Sequence, residues 1–224
     1  MEANSKKRSI IPVLIVYSIL FYTVWALNEL FGKPFVESIC PNPVAAQFIK
    51  SIIVKTAVWA VPALLLIRRY DSEMRIHLKE MFTAKVEWLK WIPLYLFVTA
   101  YVLLVAYRTH GKIGISEEFG AEEILMFLDV GITEETVFRG WLLNATARGG
   151  KPWLAVLVNA VMFLAIHFPI WIAEGDFVQN ITSGGFLFIM ALSALFSYLF
   201  LKTRNLLVPI TLHMYYDLLC WLFI

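Results

Sequence analysis

Four short stretches of this chain hold ionisable side chains inside otherwise apolar sequence: Glu134-Glu135-Thr136-Val137-Phe138-Arg139-Gly140, Phe163-Leu164-Ala165-Ile166-His167, His213-Met214-Tyr215-Tyr216-Asp217, and Asp129 alone. Read on helices of 3.6 residues per turn, Glu135 and Arg139 share a face and can pair. Glu134 then points about 100° away from that pair. His213 and Asp217 also share a face, and Phe163 lies one turn before His167. A carboxylate removed from water becomes a better general base near neutral pH. Glu134 can therefore activate a water, with His167 sharing the proton. His213 can donate a hydrogen bond to a developing oxyanion. That set suffices for peptide-bond hydrolysis without a covalent nucleophile. Glu134, His167 and His213 can instead hold a divalent metal with an open position for water. No HExxH spacing signals a metal, so no cofactor is favoured and zinc is the alternative.

The elements that must position these residues are membrane helices. Apolar residues make up 60% of the 224 and charged residues 16%, with a mean hydropathy of +0.72. Soluble domains run at roughly 45–50% and about 25%. So much apolar surface behind so few charges needs lipid around it. The expected fold class is all-α, a polytopic integral membrane helix bundle forming a single domain over 1–224. A span needs roughly 20 apolar residues. Stretches at about 9–31, 48–67, 88–107, 153–173, 184–201 and 206–224 qualify. Residues 121–147 form a seventh, polar helix, and 70–86 read as an amphipathic interfacial helix. Trp88, Trp91, Trp153 and Trp171 near span ends read as interfacial or lipid-facing.

Basic residues set the orientation. With the N-terminus in the cytoplasm and seven crossings, cytoplasmic segments hold Lys6, Lys7, Arg8, the six basic residues between Arg68 and Lys90, Arg148, Lys151, Lys202 and Arg204. The far side holds Lys33, Lys50, Arg108 and Lys112, so the tally is thirteen against four. Lys55 and Arg139 fall inside spans and are left out. Omitting the polar helix would move Arg148, Lys151, Lys202 and Arg204 to the wrong side, so the charge bias requires that it cross. At 1.5 Å per residue, Glu134, His167 and Asp217 lie about 21, 24 and 20 Å from the nearest cytoplasmic basic residue, and His213 about 14 Å. The small net charge of +2 gives no reason to expect nucleic acid; lipid and a peptide or protein substrate are the expected partners. Cys40 and Cys220 match no metal spacing, and Cys220 reads as a small apolar residue. Asp129 reads as cavity lining or a helix–helix hydrogen bond, and Asn159 as a bridge between helices.

EETVFRG resembles the EExxxR motif of the CAAX protease and bacteriocin-processing family. FLAIH resembles its FxxxH motif, and HMYYD its final motif of His, three residues, then Asn or Asp. The three occur in the family's order on separate helices within about 121–220, and the chain is similar in this to the type II CAAX prenyl endopeptidases. The resemblance implies intramembrane endoproteolysis, with Glu134 and His167 activating water and His213 with Asp217 forming the oxyanion site. Glu135, Arg139 and Phe163 take supporting positions. It also implies an integral protein of the bacterial cell membrane, acting on a prenylated or membrane-associated peptide, a pheromone or a bacteriocin precursor. Asp217 stands where proteolytic members carry Asn, and an ionised Asp only accepts hydrogen bonds. That leaves Asp217 as oxyanion-site or orienting residue. It also leaves room for a non-catalytic immunity or peptide-binding protein. A third reading is a proton-coupled transporter in which Asp129, Glu134, Glu135 and the histidines relay protons.

Overall fold

The computed structural model describes residues 10–224, so Lys6, Lys7 and Arg8 lie outside the described residues. Those described form nine helices and no strand. In chain order they are α1 (Ile11–Ile39), α2 (Pro43–Arg69), α3 (Leu78–Thr83), α4 (Trp88–His110), α5 (residues 121–149), α6 (Pro152–Glu174), α7 (Phe177–Thr182), α8 (Gly185–Thr203) and α9 (Leu207–Phe223). Helices α1, α2, α4, α6 and α8 are long and apolar enough to cross a membrane. Helix α9 is apolar but shorter. Their outward faces carry Ile19, Leu20, Leu65, Phe97, Val161 and Leu187, each more than half exposed. In water such a surface would aggregate, whereas in hydrocarbon it is at home. The chain is an integral membrane helix bundle.

Local signals set the helix limits. Proline stands in the first turn of α1, α2 and α6, and in the first of the regular α-turns of α4, which begin at Ile92, where its missing N–H costs nothing. Asn42 caps α2, its Oδ1 accepting from the Ala45 N–H at 2.9 Å. That cap starts α2 five residues before the apolar run beginning near 48. At the head of α5, Glu123 reaches back to accept from the Gly120 N–H at 2.8 Å. Glu122 and Glu123 both sit in its first turn, where the helix dipole favours negative charge.

The polar helix α5 runs through the middle of the bundle, packed against α2, α6, α8 and α9. Every residue from Thr133 to Ala145 is buried, so its charges face protein rather than lipid. Gly131 makes one of these approaches close. A Cβ there would fall 2.3 Å from Met214 Cγ and 3.2 Å from the Ile210 carbonyl, so only glycine lets α9 lie this near.

Two expectations need correction. Residues 70–86 are not one amphipathic helix. They form a short 3₁₀ turn (Asp71–Glu73), an extended link and the six-residue α3. Met74, Ile76 and Met81 enter the core, and the backbone of Ile76 exchanges 2.8 Å hydrogen bonds with the Asn144 side chain. Burial of these three residues replaces a lipid-facing stripe. The aromatic residues are also less peripheral than span ends suggest. Trp171 is buried, as are Phe21, Trp25, Trp59, Phe138 and Trp141. These last five include edge-to-face pairs such as Trp25–Trp59 at 4.5 Å and Phe21–Trp59 at 4.7 Å. Trp88 and Trp153 do lie exposed near helix starts.

Candidate active site

Glu134 and Glu135 sit consecutively at the end of the regular α-turns of α5, where a wider π-helical stretch (Thr136–Leu143) begins. They face different neighbours, as the helical angle requires. Glu135 Oε1 accepts from Arg139 Nη1 at 3.0 Å and from His213 Nδ1 at 2.8 Å. Arg139 Nη2 also donates to the Ser193 hydroxyl at 2.8 Å and the Ser193 carbonyl at 3.0 Å. Its guanidinium lies over the ring of Phe163 at 4.6 Å and of Phe196 at 5.3 Å. Arg139 and Glu135 are fully buried, so the pair ties α5, α8 and α9 together behind the cavity. Phe163 supports the arrangement through its ring, edge-on to Phe138, His167 and His213 at 5.1, 5.4 and 6.1 Å.

His213 is held from three sides. Glu135 takes its Nδ1–H, Phe196 stacks on the ring at 4.8 Å, and Asp217 Oδ2 lies 3.6 Å from Nε2. That last separation is too long for a direct hydrogen bond. The His213 Nε2 therefore stays available.

His167 occupies a break in α6. Pro169 has no N–H to give the Ala165 carbonyl, so the helix loosens there. The Ile166 carbonyl accepts from Trp25 Nε1 at 3.0 Å, and one turn earlier the Met162 carbonyl accepts from the Tyr22 hydroxyl at 2.6 Å. Helix α1 thus clamps the break. His167 Nδ1 is 3.0 Å from the Phe163 carbonyl, which can only accept, so Nδ1 carries the hydrogen. In the neutral ring Nε2 then holds the lone pair.

A cavity of about 670 Å³ joins these groups. Glu134, His167, His213 and Asp217 all line it. The sequence-derived residues split in two: those four face the cavity, while Glu135, Arg139 and Phe163 stand behind it. Asp129 does not line it; Thr56 Oγ1 donates to Asp129 Oδ1 at 3.3 Å, the helix–helix hydrogen bond expected as one reading. Asn159 bridges helices, donating to the Phe138 carbonyl and accepting from Ser197 Oγ.

Lys55 is the residue that the sequence reading passes over. Its Nζ lies 2.9 Å from Glu134 Oε1, with both side chains less than a tenth exposed. The signal was available: a lysine in the middle of an apolar span is as costly as a glutamate. Among the described residues no three His, Cys, Asp or Glu side chains form a group placed to hold a metal ion.

Residues 121–219 match the family described as Type II CAAX prenyl endopeptidase Rce1-like. The match covers less than half of the chain but includes all three motifs, and it supports a CAAX-type intramembrane protease of the CAAX protease and bacteriocin-processing family. No characterised protein and no solved structure gives a significant match.

Proposed function

We propose that this membrane protein, which matches the Rce1-like CAAX protease family over residues 121–219, hydrolyses its substrate with a water activated by Glu134 and His167. The observation that carries the reading is that Glu134, His167, His213 and Asp217, from α5, α6 and α9, line one cavity inside the bundle. Water held between Glu134 and His167 Nε2 loses a proton as its oxygen bonds to the scissile carbonyl carbon. The carbonyl oxygen, now negative, receives a hydrogen bond from His213, whose Nε2 is the donor when the ring is protonated. Collapse of the tetrahedral intermediate breaks the C–N bond, and the proton held by Glu134 or His167 passes to the departing amine. Asp217 acts on His213, orienting the ring rather than touching the oxyanion. This route needs no metal.

The substrate class we favour is a prenylated or membrane-associated peptide, including pheromone or bacteriocin precursors, in the bacterial cell membrane. We place the N-terminus in the cytoplasm. Basic residues at one end of the bundle, among them Arg68, Arg69, Arg75, Arg148, Lys151 and Arg204, support that orientation. The cavity reaches the other end, where Lys33, Glu37, Lys50 and Glu174 line it. In this orientation it opens away from the cytoplasm, so peptides already exported, or segments on the outer face, are the ones presented to it. A second reading, an immunity protein that binds peptide without cutting it, is favoured only by the Asp at position 217.

The test is cleavage of a membrane-associated peptide by the purified full-length protein in detergent. Activity should survive exhaustive chelation and vanish in both Glu134→Ala and His167→Ala. Undiminished cleavage by Glu134→Ala would end the proposal.

A further inference from the structure

Resting on the proposed hydrolysis, we infer that Lys55 of α2 is a positioning residue of the same site: its ammonium clamps one oxygen of Glu134 so that the other is presented to the attacking water. Lys55 lies outside the segment that matches the protease family, so no motif accounts for it. Its side chain enters from α2 and meets Glu134 Oε1 at 2.9 Å. The Nζ also lies 4.7 Å from the centre of the Trp59 ring and 5.6 Å from that of Trp25. An ammonium in such a place is held by the carboxylate and by the faces of two indoles.

The clamp is tied to the rest of the site through Trp25. That indole packs edge-on against Trp59 at 4.5 Å and donates to the carbonyl of Ile166, the residue before His167. Lys55, Glu134 and His167 are therefore referenced to one another through a single side chain. The other cavity lysines are taken: Lys33 pairs with Glu29 at 2.7 Å and Lys50 with Glu37 at 2.6 Å. Lys55 is the cation that reaches Glu134. Stability alone is a weak reason for the pair, since apolar residues of similar volume commonly hold a fold as well as a buried ion pair. Fixing a base needs the charge and the geometry together. Unclamped, Glu134 would be free to turn, and a misplacement of about 1 Å in a reacting group can cost roughly 100-fold in rate.

The experiment measures kcat and KM for peptide cleavage by the full-length protein in detergent, with Lys55→Ala, Lys55→Gln and Lys55→Arg beside wild type and Glu134→Ala. The expected result for Lys55→Ala is a loss of kcat of about 100-fold at unchanged KM, partly restored by added ethylammonium. Lys55→Arg, which keeps a cation on the carboxylate, should stay within about tenfold of wild type in kcat, by the same reasoning. Folded Lys55→Ala with wild-type kcat overturns the inference, as does a loss confined to KM or one that ethylammonium does not relieve. Should Lys55→Ala fail to fold, Lys55→Gln decides: undiminished kcat overturns the clamp, and depressed kcat at constant KM sustains it. An inactive wild type or an active Glu134→Ala sinks the parent proposal and this inference with it. An active wild type, inactive Glu134→Ala and unimpaired Lys55→Ala sinks this inference alone.

Discussion

Replacing Arg139 by Met tests whether the buried ion network behind the cavity holds the catalytic face in place. The side chain is fully buried and makes three hydrogen bonds, one to Glu135 Oε1 and two to Ser193, while its plane covers Phe163 and Phe196. Methionine fills much of the same volume, so the apolar contacts largely survive and the loss is electrostatic. Glu135 is left in the core with His213 as its one remaining partner. Removing one member of a buried pair costs roughly 3–5 kcal/mol when the other charge is left unpaired, and with His213 still bonded to Glu135 the loss should fall at the lower end, about 3 kcal/mol. Domain stabilities are only about 5–15 kcal/mol, so the variant should be severely weakened. Neutralising the stranded group ought to recover much of the loss: Glu135→Gln/Arg139→Met should be more stable than Arg139→Met by about 2 kcal/mol or more. The assay is reversible denaturant unfolding in micelles, run as a double-mutant cycle. If Arg139→Met lies within about 1 kcal/mol of wild type, and the second substitution changes nothing, the pair is not what anchors α5 to α8 and α9.

Four further outcomes follow. Gly131→Ala should separate α5 from α9 and lower both the unfolding midpoint and kcat, since its Cβ meets Met214 at 2.3 Å; wild-type values in both would show that the helices shift at no cost. Asp217→Asn should keep at least about a tenth of wild-type kcat if Asp217 only orients His213, and complete loss of cleavage would assign it a charge-dependent role. Arg204, at the α8–α9 turn, holds the Glu80 carboxyl below the usual carboxylate range. A depressed value stabilises the fold above the unfolded-state pKa of about 4.3, and the benefit disappears as pH falls through the folded value. Glu80→Gln should therefore lose slightly less stability on acidification than wild type, by under about 1 kcal/mol for so exposed a pair, and parallel unfolding curves against pH would refute the link. Cysteines placed at Glu37 and Lys79, in a background without Cys40 and Cys220, should label from opposite faces of intact cells, Glu37 from outside; the reverse pattern overturns the orientation.

How far the sequence foretold this arrangement depends on which physical signal each residue carries. Hydropathy located the helices because lipid tolerates only long apolar runs or charges turned inward, and α5 shows the second case. Spacing of four found Glu135–Arg139 and His213–Asp217, since partners within a helix need no knowledge of the fold. Partners between helices leave no such trace. The bond from His213 to Glu135, the donation from Arg139 to Ser193 and the indole of Trp25 on Ile166 arise only when separate helices pack. The short helix α3 departs from its sequence pattern for the same reason. Its alternation of polar and apolar residues reads as a membrane-surface pattern, while in the fold its apolar side is consumed by protein contacts. Lys55 sharpens the point. A lysine inside an apolar span is as conspicuous as Glu134, but Lys55 lies outside the loops whose charges set topology and away from the three motifs. Its meaning depends on where α2 lies beside α5, and that places the division of labour in this site: the motif-bearing helices supply the reacting groups, and the N-terminal helices fix the orientation those groups adopt.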